Sequence, residues 1–418
     1  MKGLSIAEIK KCSFLKGNVE KWKDIRVNKD EFIRECDDLR WRFLHGEVIN
    51  KEISYKLPSL VCELKELDYD DRIGAIDFET FGSKLNGFGD HNAYAGGWCR
   101  KDREEVMYIN ENEESEEFVE RVIASIFEDK ENSNRTFYCH NFGRFDSLLM
   151  LKGILGNKGY IVKGMWKDNS ILSLVIKDRR TMMKIKILDS FQLLKDSLRN
   201  VLKSFDCEIL KGIYPYRFMS KDKLFYLGNK PELKYYDGID LNEYNKIPNE
   251  NWSAKEETLR YLRSDILGLL EVMLKFSKTY YEKYQVNVTK YRTLPALTFA
   301  MFTTNFYDED NNIKMVRGSL EKDIRTSYFG GNVNVFLNEI IDEAFYYDMN
   351  SQYPKAMLND MPVGEPILTN ERDINNFFGF AYGEIIPPCE SRLKNLYIQK
   401  RNDDGSVSCP RYKFKRLI

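Results

Sequence analysis

The chain of 418 residues is long enough for two or three domains, and its net charge of −1 argues against a basic coat that binds nucleic acid over the whole surface. Its 43% hydrophobic and 31% charged residues are typical of proteins with packed cores. Eight scattered cysteines without a C-x-x-C pair, and only three histidines, argue against a zinc site and against a secreted disulfide framework. We find neither an N-terminal signal peptide nor an apolar run of transmembrane length, so we expect no membrane partner.

Residues 1–70 contain helical stretches without recognisable chemistry, and we assign them to an N-terminal accessory region. From Arg72, the sequence RIGAIDFETFG predicts a short apolar strand that leads into Asp77 and Glu79. Side chains two residues apart on a strand point to the same face, so these carboxylates lie together and repel each other. A divalent cation such as Mg²⁺ is the simplest compensation, although a lone D-x-E is more often a solvated strand end.

The following elements alternate between strands and helices. Apolar runs predict strands at residues 92–99, 105–109, 135–142, 170–178 and 181–191. Helical spacing of apolar residues predicts helices at residues 114–130, 146–155 and 251–284. Ser253 and Glu256 give the last helix a capping box. This order predicts an α/β fold around one sheet, over about 200 residues.

The sequence HNFGRFD, residues 140–146, places an imidazole, an amide, an aromatic ring and a carboxylate at one strand-to-helix junction. The amide of Asn141 is suited to hydrogen-bond a sugar or base, and the ring of Phe145 is suited to stack on a base. Two plainer interpretations stay open. Asp146 caps the following helix, and His140 is a structural histidine.

A further pair of groups lies on the predicted long helix, where YLRSD puts Tyr261 and Asp265 four residues apart on one side. The order D-x-E, N-x₃-F-D and Y-x₃-D resembles the three exonuclease motifs of proofreading DNA polymerases, the DEDDy group on an RNase H-like fold. The resemblance implies a 3′–5′ exonuclease domain over residues 71–285 with a two-metal site for Mg²⁺ (or Mn²⁺). Tyr261 then orients the attacking water. The implied metal ligands are Asp77, Glu79, Asp146 and Asp265, and the implied DNA ligands are His140, Asn141 and Phe145.

Two later motifs indicate a second activity. YFGG, residues 328–331, has paired glycines that allow a backbone to approach a phosphate, although an isolated pair is more often a turn. DMNSQYP, residues 348–354, follows an apolar run, and we expect it on a strand. The two motifs resemble Y-x-G-G and motif A, D-x-x-S-L-Y-P, of the family B DNA polymerases. Gln352 replaces the usual Leu at a position that should mainly pack.

The family B resemblance implies a role for each residue of these motifs. Asp348 binds both catalytic metals, and without the resemblance it is only a strand-end acid. Tyr353 stacks under the sugar and selects deoxynucleotides. The backbone carbonyl of Met349 and the side chain of Ser351 lie at the metals and the incoming triphosphate. The implied template contacts are Tyr328, Gly330 and Gly331.

Spacing narrows the family further. Only 83 residues separate Asp265 from Asp348. The stretches LPALTFAMFTTNF and IRTSYFGGNVNVF resemble the protein-primed polymerases of fungal and plant mitochondrial linear plasmids, which are relatives of phage enzymes. LKG, residues 210–212, is similar to the lysine motif of those enzymes and implies Lys211 near the phosphates of the exonuclease site. An exposed turn lysine is an equal alternative.

The resemblance covers residues 71–418 and implies a connecting region at 286–335 and an incomplete polymerase palm at 336–418. It implies three kinds of partner: a single-stranded 3′ end, template-primer DNA and a terminal protein primer. It also implies a mitochondrial setting, with the gene on an organellar or plasmid DNA.

Three motifs of the family are not found in the sequence: the fingers helix K-x₃-N-S-x-Y-G, the palm hairpin D-T-D and the late K-x-Y. One palm carboxylate cannot hold two Mg²⁺ ions against a triphosphate. We therefore expect the N-terminal portion of a polymerase, completed by a second chain that supplies the fingers and the remaining palm. A stand-alone two-metal exonuclease and an inactive DNA-binding remnant are the alternatives.

Overall fold

The computed structural model describes residues 53–85, 88–167, 170–209, 212–310, 313–330, 338–371, 373–376, 378–386, 399–402, 406–408 and 414–417. These residues divide into two compact units. One unit is Cys62–Tyr307, and the other combines the residues before it with those after it. Most of the predicted accessory region, residues 1–52, lies outside the described residues.

The unit Cys62–Tyr307 is built on a mixed sheet of seven strands in the order β3-β2-β1-β4-β7-β6-β5. The strands are β1 (Ile73–Leu85), β2 (Phe88–Arg100), β3 (Arg103–Tyr108), β4 (Thr136–Cys139), β5 (Tyr160–Lys167), β6 (Ser170–Asp178) and β7 (Lys184–Asp189). The central strands β1, β4 and β7 are parallel, and the outer strands on both sides pair antiparallel. The expected α/β class is confirmed.

Seven α-helices of this unit are described, and the predicted helices at residues 114–130, 146–155 and 251–284 are among them. They are α1 (Ser115–Glu128), α2 (Asp146–Leu155), α3 (Phe191–Leu194), α4 (Leu198–Ser204), α5 (Leu241–Lys246), α6 (Ala254–Tyr284) and α7 (Leu294–Asn305). The capping box is confirmed at its first half, because Ser253 Oγ accepts a hydrogen bond of 3.3 Å from the backbone N–H of Glu256. None of the described helices is both long and apolar enough for a membrane crossing.

The two faces of the sheet bury different helices. Helix α1 covers one face, where Trp98 Nε1 donates a 2.8 Å hydrogen bond to Ser125 Oγ. Helix α6 covers the opposite face of β1, β2, β3 and β4, where Cys99 Sγ donates to the backbone carbonyl of Ile266 at 3.2 Å. The register places Asp77 and Glu79 of β1 on this α6 face. The long helix therefore lies over the two predicted carboxylates.

A β-bulge interrupts the pairing of β1 and β2 next to Glu79. Glu79 pairs with Ala95, but the next residue, Thr80, pairs with Ala93, so Tyr94 is the extra residue. Bulges re-aim side chains and occur often beside functional sites. Here the bulge sends the Tyr94 side chain into the core, where it is fully buried.

The second unit contains short elements. Its helices are α8 (Gly318–Ser327) and α9 (Gln352–Ala356). Antiparallel strand pairs join Ile53–Ser54 to Ile367–Leu368, Tyr382–Ile385 to Phe414–Leu417, and Lys400–Arg401 to Val407–Ser408. The expectation of a strand at DMNSQYP is wrong. Residues 341–350 form neither a helix nor a strand, because no described strand lies beside them to accept their backbone hydrogen bonds.

Candidate metal centre

Three carboxylates from two elements meet between strand β1 and helix α6. Asp77 and Glu79 come from β1, and Asp265 comes from α6. One ligand atom of each lies within 4.8 Å of the others. Glu79 and Asp265 are buried, and burial of ionised carboxylates without a cation is costly. This donor set, oxygen atoms only, suits a hard divalent cation.

Asp146 forms a second group with Asp77 and Cys139, again with ligand atoms within 4.8 Å of one another. Asp146 is the first residue of α2, the N-cap position belongs to Phe145, and no side-chain cap hydrogen bond is formed there. The Asp146 carboxyl is only 4% exposed. Its Oδ1 has no hydrogen-bond partner among the described residues. Burial raises the pKa of Asp146 to about 7, against the lowering effect of a hydrogen bond from Cys139. A cation bound at this oxygen would replace the missing hydrogen-bond donor and would favour the ionised carboxylate.

Cys139 is a donor to Asp146 rather than a thiolate ligand. Burial raises the pKa of its thiol well above the ordinary value, and the nearby Asp146 and Asp77 carboxylates add to that shift. A protonated thiol does not bind a metal as thiolate does. The oxygen ligands of the second group are therefore Asp77 and Asp146.

The carboxylates line a cavity of about 330 Å³ that opens to solvent. Its walls are Asp77, Phe78, Glu79, His140, Asn141, Phe145, Asp146, Leu198, Tyr216 and Asp265. The four metal ligands and the three DNA ligands predicted for the exonuclease motifs thus line one cavity. Asn141 allows this geometry because it takes the left-handed conformation, φ +62°, that asparagine tolerates.

Hydrogen bonds and ring packing fix two rings of the cavity wall. His140 Nδ1 lies 3.0 Å from Ser190 Oγ, and its Nε2 lies 3.0 Å from the backbone carbonyl of Asp196. The Phe145 ring packs edge-on against His91, with 4.5 Å between ring centroids, and remains 36% exposed. The histidine is structurally supported, as the plainer interpretation expects, and it still faces the cavity.

Tyr261 does not line this cavity. It is buried beside Asp265, and its hydroxyl is hydrogen-bonded to the hydroxyl of Tyr216, whose ring is in the wall. Burial, together with carboxylates of the site, raises the pKa of both hydroxyls, so both remain protonated. Tyr216 is not among the residues predicted from the sequence. The signal that could have found it is the run Y-P-Y, residues 214–216, which follows the lysine motif after Ile213.

A buried chain of hydroxyls connects the elements that carry the site. Tyr94, from the bulge beside Glu79, lies 3.2 Å from the hydroxyl of Tyr214. The Tyr214 hydroxyl lies 2.6 Å from Thr258 Oγ1, which donates to the backbone carbonyl of Ala254 at 2.6 Å. The Tyr214 ring also stacks on Tyr261, with 5.1 Å between centroids. This chain ties β2, the Tyr216 segment and α6 together.

The remaining predicted residues lie elsewhere. Lys211 and Gly331 fall outside the described residues. In the second unit, the residues predicted for the polymerase reaction and the template that the structure describes are exposed. They are Tyr328, Gly330, Asp348, Met349, Ser351 and Tyr353.

The family model described as DNA polymerase type B, organellar and viral, matches residues 128–417. The chain belongs to this family. A probable DNA polymerase of Agaricus bitorquis is 39% identical over 95% of this chain and 52% of that protein. The DNA polymerase of human adenovirus B serotype 7 is 26% identical over 46% of this chain and 19% of its own length.

This type B polymerase chain is also similar to a solved structure, phi29 DNA polymerase complexed with single-stranded DNA. That match has a TM-score of 0.39 and 16% identity, and it covers 62% of this chain and 40% of the phi29 chain. The chain spans about half the length, or less, of the curated relatives that it matches. The family model and the relative of Agaricus bitorquis confirm the predicted resemblance to the family B polymerases.

Proposed function

We propose that this chain is the exonuclease-bearing portion of a protein-primed family B DNA polymerase, and that its cavity removes nucleotides from the 3′ end of single-stranded DNA. The observation that carries the proposal is the convergence of four carboxylates on one cavity, with a buried oxygen of Asp146 that lacks a hydrogen-bond donor. We further propose that the sheet of this unit is RNase H-like and serves as the exonuclease domain over residues 71–285.

The carboxylates divide into two ligand groups that share Asp77. Asp77, Glu79 and Asp265 hold one cation, and Asp77 with Asp146 holds the other. Mg²⁺ or Mn²⁺ suits both groups. When bound, such a pair stabilises the attacking and leaving oxygens of an in-line displacement at phosphorus.

The other cavity residues bind the strand end. The exposed edge of Phe145 offers a stacking surface for the terminal base, and His140 and Asn141 face the same space. Tyr216 positions the water through its protonated hydroxyl, and Tyr261 fixes that hydroxyl from behind. The resemblance implies that Tyr261 alone orients the water, whereas we assign this role to Tyr216 and Tyr261 together.

The test of this activity is digestion of single-stranded DNA by the purified chain with Mg²⁺. A strand labelled at its 5′ end should give a ladder that shortens by single nucleotides. The same strand labelled at its 3′ end should release labelled mononucleotide in the first turnover. Release of internal fragments instead identifies an endonuclease and refutes the assignment.

For the second unit we propose the start of the polymerase palm, preceded by a connecting region at 286–335. Asp348, Met349, Ser351 and Tyr353 handle the incoming deoxynucleotide, and Tyr328, Gly330 and Gly331 contact the template. The support is the exposure of this segment: Ile340, Tyr346, Leu358 and Val363 are each more than four-fifths exposed. Such apolar surface is suited to a partner. We propose that a second chain supplies the fingers and the remaining palm.

Primer extension tests the completeness of the polymerase. The chain alone should not extend a primer on a template, and it should do so when the partner portion is added. Extension by the chain alone contradicts the need for a partner. A terminal protein is the proposed primer, and its capture by the 355–418 segment is measurable by cross-linking.

Two alternatives remain distinct in experiment. A stand-alone exonuclease, favoured by the complete carboxylate set, digests DNA but gains no extension from any added portion. An inactive DNA-binding remnant binds DNA and does neither.

We also propose a mitochondrial location with an organellar or plasmid gene. The gene should then co-purify with mitochondrial DNA, and its recovery from nuclear DNA alone contradicts the location.

A further inference from the structure

The three strands β5, β6 and β7 have one apolar and one cationic face. Their register places Leu174, Ile176, Ile185 and Ile187 on one face, and all four are fully buried. The alternate residues face the other side. Among them are the lysines Lys163, Lys177, Lys184 and Lys186.

This cationic side is the same side of the sheet that helix α6 covers farther along. The register runs from Lys186 through Thr136 to Ile73, and so to the α6 face of β1. Helix α6 packs on β1 to β4, which leaves the β5–β7 half of the face without it. Arg292 reaches that half, and its Nε donates a 3.0 Å hydrogen bond to Ser173 Oγ. We call the four lysines and Arg292 the basic face.

The charges of the basic face repel one another. Lys177 lies directly opposite Lys184 across β6 and β7. Like charges in such a pair destabilise a sheet. The two described carboxylates of these strands, Asp178 and Asp189, belong to the opposite side.

Lys186 is partly buried in this cluster. Its Nζ donates a 2.6 Å hydrogen bond to the backbone carbonyl of Thr289. Burial lowers its pKa, and the neighbouring Arg292 and Lys184 lower it further. Asp70 opposes this shift, but that carboxylate already forms a 3.0 Å ion pair with Arg72. The hydrogen bond from Lys186 to Thr289 offsets part of the cost of burial, and an anionic ligand would offset the repulsion among the positive charges.

The side chains between the lysines identify the kind of anion. Ile161, Met165 and Val175 are aliphatic, and the described residues of this face on β5–β7 include no aromatic ring. Proteins that hold unstacked single strands combine positive charge with aromatic stacking platforms. Lysines without rings suit phosphates whose bases remain paired.

We propose that the basic face binds the sugar-phosphate backbone of double-stranded DNA. The inference rests on the proposed function, because it adds a duplex contact to the exonuclease cavity. Strand β7 links the two sites: Lys186 lies four residues, or about 13 Å of strand, before Ser190, which contacts His140 of the cavity wall. A duplex on the basic face therefore lies within reach of the site that takes a frayed 3′ end.

The experiment measures binding of a short, blunt, fluorescent duplex by the full chain without divalent cations, so that no hydrolysis occurs. In Lys177→Gln/Lys184→Gln, two phosphate contacts are lost. The slope of log Kd against log salt should fall by about 1.8, which makes the wild-type affinity drop about 12-fold more than that of the variant between about 50 and about 200 mM salt. Lys177→Arg/Lys184→Arg should retain the wild-type slope.

Lys101→Gln/Lys278→Gln is the matched control, because it removes the same charge from two exposed lysines away from the basic face. An equal fall in slope for both Gln pairs shows a general charge effect and overturns the proposal. A fall seen only with single-stranded DNA also overturns it. Digestion of a very short single strand by the wild-type chain tests the exonuclease separately, so the two proposals fail independently.

Discussion

Asp265 and Asp348 have the same carboxylate side chain, but Asp265 is buried and Asp348 is exposed. Asp265 is buried on a long helix, within 4.8 Å of ligand atoms of Asp77 and Glu79 from the facing strand. Asp348 lies in an exposed segment without regular structure. The first site is held in place by the core of its own unit, as preorganised catalysis requires. Asp348 is exposed and has no comparable support from the described residues of its own unit.

The sharpest test of this difference removes the buried carboxylates. Asp77→Ala/Glu79→Ala should lower the rate of 3′–5′ digestion by about 10³-fold or more, because both ligand groups lose a member. The rate is measured by release of mononucleotide from a 3′-labelled strand. Glu128→Ala, at an exposed acid that ends α1, is the control and should keep the wild-type rate. Digestion that survives the double variant contradicts the site.

Stability should separate the two regions in the same way. Ile187→Ala, in the fully buried face of β7, should lower the free energy of unfolding by about 2–5 kcal/mol. Val363→Ala, at a side chain that is 94% exposed, should change it by less than about 0.5 kcal/mol. Denaturant titration measures both. A large effect at Val363 shows that the segment is packed in solution.

The pH dependence of stability tests the burial of Asp146. Its folded pKa of about 7 is above the ordinary value, so the stabilising effect of the neutral form is complete at low pH and disappears as the pH rises through about 7. The free energy of unfolding of the metal-free chain should therefore fall, relative to that of Asp146→Asn, as the pH rises from about 4 to about 7. The fall should be up to about 1.4 kcal/mol per pH unit. Thermal unfolding with a chelator measures this difference. Equal pH profiles for the two proteins contradict the assignment.

The smallest expected effect concerns the hydroxyl chain behind the cavity. Tyr214→Phe breaks the link between Tyr94 and Thr258 and should lower the turnover rate by about fivefold, the equivalent of about 1 kcal/mol for one hydrogen bond. Substrate KM should change little, because Tyr214 is not in the cavity wall. Tyr244→Phe is the control, since its hydroxyl donates a 3.0 Å hydrogen bond to the backbone carbonyl of Pro231 instead. Equal losses in both variants indicate a general packing effect.

The sequence predicts the parts of the site that lie on regular elements. Asp77 and Glu79 follow from the strand period, and Asp265 follows from a helix whose capping box is visible as S-x-x-E. Strand β5 was missed because Gly164 and its lysines interrupt the apolar pattern at an edge of the sheet. Residues 163–167 are exposed on both faces, so this strand lacks the alternation of apolar and polar residues that marks a half-buried strand.

Tyr216 was missed for a different reason. It lies in an irregular segment between α4 and α6, where no periodicity indicates which side chains face a site. Its place is fixed by tertiary contacts: the stacking of Tyr214 on Tyr261 and the hydroxyl pair of Tyr216 and Tyr261. Such contacts between distant residues are not visible in local sequence patterns.

The buried thiol of Cys139 has a practical consequence. Alkylating reagents attack the thiolate, and this thiol is both fully buried and held in its protonated form. Modification therefore requires local opening of the junction between β4 and α2, which also carries Asn141 and Asp146. The rate of Cys139 alkylation therefore measures how often this junction opens. A slower rate in the presence of Mg²⁺ or Mn²⁺ would report metal binding without the need for DNA.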